Sequence, residues 1–224
     1  MICDNKQPKN MASFQQTEEQ LKRIVSVESL TQHRLNAFRQ EYYRQHAALD
    51  PTQVLVSIMN YKGKKAVVKS YKEVQGFFHE RTAHDFDSYD YDVLKAVRSG
   101  DTEALRNLAK RGKNMNCSNK AKESLLHIAS RRGKADVVRF LVEEAQVPVN
   151  VCDDYGRTPL SDAFWTSEPN FEVVDILVAQ CPDLLFVQDM RKHTPLQYAP
   201  RQHWKTWVKH LGRTWNRLSP KYMR

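Results

Sequence analysis

One stretch of this 224-residue chain brings metal-binding residue types close together, and its spacing fails. His79, Glu80 and His84 look like the core of a zinc-protease helix. That motif needs two histidines at i and i+4, so that both rings reach one ion while a glutamate acts as base. Here the histidines are five apart, about 140° around a helix, and the rings diverge. The four cysteines, Cys3, Cys117, Cys152 and Cys181, form no CxxC pair and have no histidine at zinc spacing. Reduced, mostly packed thiols are expected. The sequence has no GxGxxG, GxxxxGK[ST] or GxSxG, and so no phosphate-cradling loop and no serine elbow. No catalytic residue, metal, cofactor or small-molecule substrate is expected.

A second chemistry lies at the carboxyl end. Residues 191–224 hold nine Lys/Arg and no Asp/Glu, whereas residues 1–90 hold 13 against 11 and residues 91–190 hold 13 against 15. The net charge of +9 therefore equals the excess of this last segment. From His203 to Trp215, aromatics alternate with positive charge at helical spacing. Trp207, Val208 and Leu211 are expected to close a core. The alternative is a basic amphipathic face of Trp204, Lys205, Lys209, Arg213 and Trp215 that meets an anionic surface, whether acidic protein, nucleic acid or membrane.

The elements that position these residues follow from an internal repeat. Ser124-Leu125-Leu126-His127-Ile128-Ala129 aligns with Thr158-Pro159-Leu160-Ser161-Asp162-Ala163 and with Thr194-Pro195-Leu196-Gln197-Tyr198-Ala199, the starts lying 34 and 36 residues apart. The two extra residues fall in the turn from Thr166 to Asn170. Each copy continues with a second apolar stripe: Val137, Val138 and Leu141; Val173, Val174 and Leu177; Trp207, Val208 and Leu211. A degenerate earlier copy reads Val93, Leu94, Ala96, Gly100, Leu105 and Leu108, with Gly100 33 residues before Gly133. A period of 33 to 36 residues predicts stacked supersecondary units.

The pattern resembles the ankyrin repeat, whose Thr-Pro-Leu-His-x-Ala motif opens a helix pair joined by a tight turn. The resemblance covers about 120 of the 224 residues. It implies an all-α solenoid over residues 91–211, preceded by a helical region at 1–90 and followed by a basic tail at 212–224. Thr158 and Thr194 suit helix caps ahead of Pro159 and Pro195, Leu126, Leu160 and Leu196 face the core, and Gly133 ends a first helix. Lys122 and Lys192 replace the turn glycine that Gly156 supplies, and Pro200 falls inside the last first helix. Distorted fingers are therefore expected in the second and fourth copies. At the motif's histidine position, His127 is expected to make structural hydrogen bonds.

No family is recognised in residues 1–90. Thr17 is read as capping toward Gln20 in a helix begun by Leu21, Ile24 and Val25. Leu35, Phe38 and Tyr42 form a second piece, which Asp50-Pro51 ends. Val54 to Met59 suits either strand or helix. Val67, Tyr71, Val74 and Phe78 predict an amphipathic helix, and the acidic run from His84 to Asp92 a linker. These helices are expected to pad the first repeat.

No run approaches the roughly 18 apolar residues of a membrane span, and Met1 to Ser13 lacks the apolar core of a signal peptide. An intracellular protein, cytoplasmic or nuclear, is expected. The resemblance implies a scaffold or adaptor that grips another protein through turn tips and the outer side of the first helices. Those positions are Arg98, Ile128, Arg131, Arg132, Tyr155, Arg157, Asp162, Trp165 and Tyr198. Trp, Tyr and Arg dominate interface energies, so the expected partner offers an apolar anchor with acidic groups. Trp165 is expected beside the Arg131 and Arg132 guanidinium groups.

Overall fold

The structure is a computed structural model that describes residues 50–61 and 65–214. The calls on residues 17–42 and on Trp215 lie outside the described residues. Among those described, the regular elements are helices and helical turns, and extended backbone pairs at isolated bridges, Lys69 with Val187 and Ser118 with Ser124. The helices are α1 (Pro51–Tyr61), α2 (Ala83–Asp87), α3 (Tyr91–Ser99), α4 (Thr102–Lys110), α5 (Leu125–Arg131) and α6 (Ala135–Arg139, continued by a π-turn to Glu144). They are followed by α7 (Pro159–Phe164), α8 (Phe171–Gln180) and α9 (Trp204–Thr214).

Three pairs, α3/α4, α5/α6 and α7/α8, stack in order. The fourth pairs α9 with a 3-10 turn, Pro195–Tyr198, because Ala199 turns extended ahead of Pro200. The first elements of copies two to four start alike. Ser124, Thr158 and Thr194 sit in extended backbone and exchange bonds with the third residue of the helix, His127, Ser161 or Gln197. Leu126, Leu160 and Leu196 are fully buried, and the small Ala129, Ala163 and Ala199 are buried where first helices approach. The second-helix stripes, including Trp207, are buried too. Trp207 meets Phe164 and Phe171 edge-on, with ring centroids 4.8 and 4.9 Å away.

The fingers keep one geometry despite the lysines. Gly156 has φ +78°, and Lys122 and Lys192 take φ 60° and 65° at the equivalent positions. A side chain there costs about 1 kcal/mol, and the turn is held by an Asn or Asp three residues earlier. Asn119 Oδ1 accepts the N–H groups of Ala121 and Glu123 at 3.0 and 2.9 Å. Asp153 does the same for Tyr155 and Arg157, both at 2.9 Å, and Asp189 for Arg191 and His193 at 2.8 and 2.9 Å. The expected distortion of these fingers is thus absent, and only the first helix of the last copy is cut short.

The amino-terminal region is placed differently from expectation. Asp50-Pro51 starts a helix: Asp50 Oδ1 accepts the N–H of Thr52 at 2.8 Å and of Gln53 at 3.1 Å, with Pro51 in the first turn. This helix, α1, packs on the last copy, against α9 and the 3-10 turn, and not on the first. The Thr52 and Thr194 hydroxyls hydrogen-bond each other, and Gln197 donates to Asp50. Val54, Leu55 and Met59 are buried.

Residues 65–90 then run back along the stack. Lys69 exchanges backbone bonds with Phe186 and Gln188, both 2.9 Å, and His79 N–H reaches Asn150 O at 2.8 Å. Arg81 donates to Asn116, and Ser118 N–H reaches Asp85 O at 3.0 Å. The amphipathic helix expected from Val67 to Phe78 is therefore an extended segment followed by a 3-10 stretch, Tyr71–Phe77, broken at Val74 (φ −121°). Pairing of Lys69 with the last copy fixes its backbone outside the helical region. The acidic run is also built in: Asp85 is buried and accepts from Asn114 and Thr82, and Asp90 caps α3.

His127 ties copy two to copy three. Its Nε2–H donates to Arg157 O at 3.0 Å, so Nδ1 is the acceptor, 3.2 Å from Ser124 N–H. Burial pushes its pKa down to about 4. Because this value lies below the unfolded one, the neutral ring contributes stability above about pH 6.5 that is lost as pH falls toward 4, on the order of 3 kcal/mol at most. Gln197 fills the same position in the last copy and bonds Thr194 N–H at 2.7 Å. His127→Gln should therefore fold, and its melting temperature should fall less steeply than the parent's between pH 6.5 and 4. Parallel melting curves against pH would show that His127 is not the titrating group.

Leu160→Ala should cost about 2 to 5 kcal/mol in denaturant unfolding, the range for a fully buried leucine. A loss under 1 kcal/mol would contradict its place between α5 and the last copy.

Candidate functional site

The first helices of copies two to four, only four to seven residues long, leave little surface beyond their tips, so the finger residues and the helix-end residues share one face. Neighbouring fingers join edge to edge: Asp154 N–H donates to Ala121 O at 3.1 Å, and Met190 N–H to Tyr155 O at 2.9 Å. This linkage sets the third and fourth fingers side by side. Tyr155, 50% exposed, lies between two guanidinium groups, Arg157 at 5.2 Å and Arg191 at 5.1 Å from the ring centroid. Trp165 ends α7, 53% exposed, with its ring 6.1 Å from that of Tyr198. Tyr198 donates its hydroxyl to Asp189 and packs edge-on against His193 at 5.8 Å. Burial pushes the Tyr198 phenol up, and the Asp189 carboxylate adds to the rise. Met190, at the tip of the fourth finger, is 54% exposed.

Several expected contact residues are placed otherwise. Ile128, Asp162 and Tyr198 occupy one repeat position on the inner face, and the first two are only 7% and 4% exposed. Ile128 is core, since α5 is flanked by α3 and α7. Asp162 is a structural partner: Arg131 bonds Glu123 of its own finger and reaches Asp162 in the next copy at 3.5 Å. Burial raises the Asp162 pKa to about 6, against the pull of Arg131 and Arg157. Arg131, though exposed, is thus paired within the chain to Glu123 and Asp162, and the ring beside Trp165 is that of Tyr198. Arg157 also has a carboxylate, Asp153, at 2.6 Å, though its other side covers Tyr155. Arg98 and Arg132 face solvent at the ends of α3 and α5. The turn after Trp165 does not bury it: the Thr166 hydroxyl bonds Ala163 O and Glu168 O, and His203 donates to Ser167 O at 2.9 Å.

Met190 and Arg191 were not picked from the sequence. Their signal is the Asp or Asn at 119, 153 and 189, which recurs at the same 34- and 36-residue intervals as the helix motif and marks each finger.

At the carboxyl end, Trp207, Val208 and Leu211 close the core as expected. Trp204 is not a free anchor, because its indole N–H donates to Ala199 O at 2.8 Å beneath the Arg201 guanidinium. Lys205, Lys209 and Arg213 are exposed along the opposite side of α9.

The remaining reactive groups serve the fold. His79 accepts from Asn116 at 3.1 Å in extended chain while His84 belongs to α2, so the two histidines share no helix. Burial pushes the Cys117 and Cys181 thiols up to about 12 and about 11, away from nucleophilic behaviour. A recess of about 350 Å³, counting its open mouth, lies between Val67, Val74, Phe77, Phe186 and Val187. Its acid, Asp183, is buried and pushed up by burial.

Residues 93–185 match the family model for ankyrin repeats in three copies. Over 71 residues, 32% of this chain, the sequence is 38% identical to putative glutaminase 2 of Caenorhabditis elegans, covering 12% of that protein. Over 85 residues, 38% of the chain, it is 38% identical to the mitochondrial liver isoform of glutaminase from Rattus norvegicus, covering 14% of it. A stretch of 80 residues, 36% of the chain, is 29% identical to putative palmitoyltransferase ZDHHC13 of Danio rerio, covering 12%. The chain thus spans about an eighth of the length of these relatives, and the glutaminase matches fall on the ankyrin region. Ankyrin repeats are a non-enzymatic family that generally binds other proteins. Residues 93–185 are ankyrin repeats, and the described residues around them form an all-α fold.

Proposed function

We propose that this chain is a scaffold or adaptor that holds a partner protein on the third and fourth fingers and the adjoining ends of their first helices. The observation that carries this reading is the exposed set Trp165, Tyr155 and Met190 on the third and fourth copies, with half-buried Tyr198 beside Trp165 and Arg191 over the Tyr155 ring. Large aromatics held rigidly by neighbouring guanidinium groups lose little entropy on binding, and Trp, Tyr and Arg lead interface hot spots. A partner with an apolar anchor flanked by carboxylates fits that chemistry. Similar repeats inside glutaminases and a palmitoyltransferase accord with a module that serves its host through contacts. The whole chain is accordingly proposed to be non-catalytic. An intracellular setting, cytoplasmic or nuclear, is proposed on the free thiols of Cys117, Cys152 and Cys181.

A second reading, binding of nucleic acid or an anionic membrane, is favoured by the row of Lys205, Lys209 and Arg213 on α9. Phosphate contacts weaken steeply with salt, and this separates the two.

Affinity capture followed by titration of the captured partner tests the main reading. Trp165→Ala should weaken binding by roughly 1 to 3 kcal/mol while leaving the melting temperature nearly unchanged. Equal affinity would remove this face from the interface.

Changing Lys205, Lys209 and Arg213 together to Gln should preserve the fold. If duplex nucleic acid binds the parent, the slope of log affinity against log salt should become shallower by about 2 to 3. An unchanged slope would dismiss the α9 face.

A further inference from the structure

Each finger is joined to the next by one backbone bond, and the acceptors, Ala121 O and Tyr155 O, stand at equivalent positions 34 residues apart. The next equivalent carbonyl, 36 residues on, belongs to Arg191. Among the described residues, no N–H is donated to it. The finger row therefore ends in an open acceptor edge, the feature on which an extended chain adds. Helix α1 covers the helical part of the fourth copy through Thr194 and Gln197 and makes no hydrogen bond to residues 189–193 among those described.

Charge selects what the edge takes. The finger carboxylates are already used: Asp153 holds Arg157, Asp154 faces Lys122 at 3.7 Å, and Asp189 accepts the Tyr198 hydroxyl and two backbone N–H groups. Arg191 and Lys192 remain exposed at the edge, Arg191 with its guanidinium over the Tyr155 ring. A second copy of this chain would offer its second finger at the exposed Lys120, cation against cation, and is disfavoured. Side chains of an added strand alternate between two faces. Acidic side chains on one face would meet Arg191 and Lys192, and apolar side chains on the other would meet Met190.

We propose that an extended partner segment alternating acidic and apolar residues adds beside the fourth finger, donating a backbone N–H to the Arg191 carbonyl. This rests on the reading that the third and fourth fingers form the interface.

A fluorescein-labelled decapeptide of alternating glutamate and leucine tests it against the full chain, by anisotropy and by amide shifts. Binding is expected, with shifts centred on residues 189–193. Arg191→Glu should weaken it at least tenfold, and the same peptide N-methylated at every backbone nitrogen should not bind. Equal binding of the N-methylated peptide would overturn edge pairing in favour of charge alone. No binding of the parent peptide, equal binding of an alternating lysine–leucine peptide, or shifts elsewhere would overturn the proposal as well. None of these results touches the broader interface, which stands or falls on whether captured partner is lost with Trp165→Ala.

Discussion

A helix of six or seven residues does not hold itself in water, where isolated helices below roughly 12 to 15 residues are marginal. Helices α5 and α7 are this short. They persist because Leu126, Leu160 and Leu196 are buried completely between neighbouring copies, each held in place by a Ser or Thr that fixes where its helix begins. Everything on the surface inherits its position from that shared layer. The fingers project at a constant interval because the caps below them do, and Trp165 lies near Tyr198 because α7 and the Pro195–Tyr198 turn are adjacent in the stack.

This layer is what the sequence makes legible. The cap, the leucine and the small alanine recur as residue types whose physical reason is the same in each copy, so period and burial can be read together. The amino-terminal region offers no such repetition. Val67, Tyr71, Val74 and Phe78 have helical spacing, but Lys69 is bonded on both sides to the chain around Val187, and that long-range pairing overrides the local pattern. Likewise Val54 to Met59 suits strand or helix by itself, and it is the docking of this segment on Thr194 and Gln197 through Thr52 and Asp50 that accompanies its helical form.

The candidate surface was half legible for a related reason. Repeat position tells which side chains share a face with Tyr155 and Trp165, and these two are exposed. It does not tell whether a charged group on that face is already satisfied. Arg131 spans Glu123 and Asp162, eight and 31 positions away in sequence, and so is already paired although it lies on the surface. The fourth finger reads as distorted because its lysine replaces glycine, whereas Asp189 holds the turn through backbone bonds, a role legible only once the Asn or Asp at 119, 153 and 189 is aligned.

Closure of the stack by α1 gives the protein an unusual order of assembly. Thr52 and Thr194, whose hydroxyls meet, are 142 positions apart. On a ribosome, α1 emerges long before its docking site on α9, by on the order of 10 to 30 s at ordinary elongation rates. During that interval Val54, Leu55 and Met59 have no native surface to cover them, while the intervening repeats can already stack on one another. The nascent chain thus carries an apolar segment that is made early and docks late.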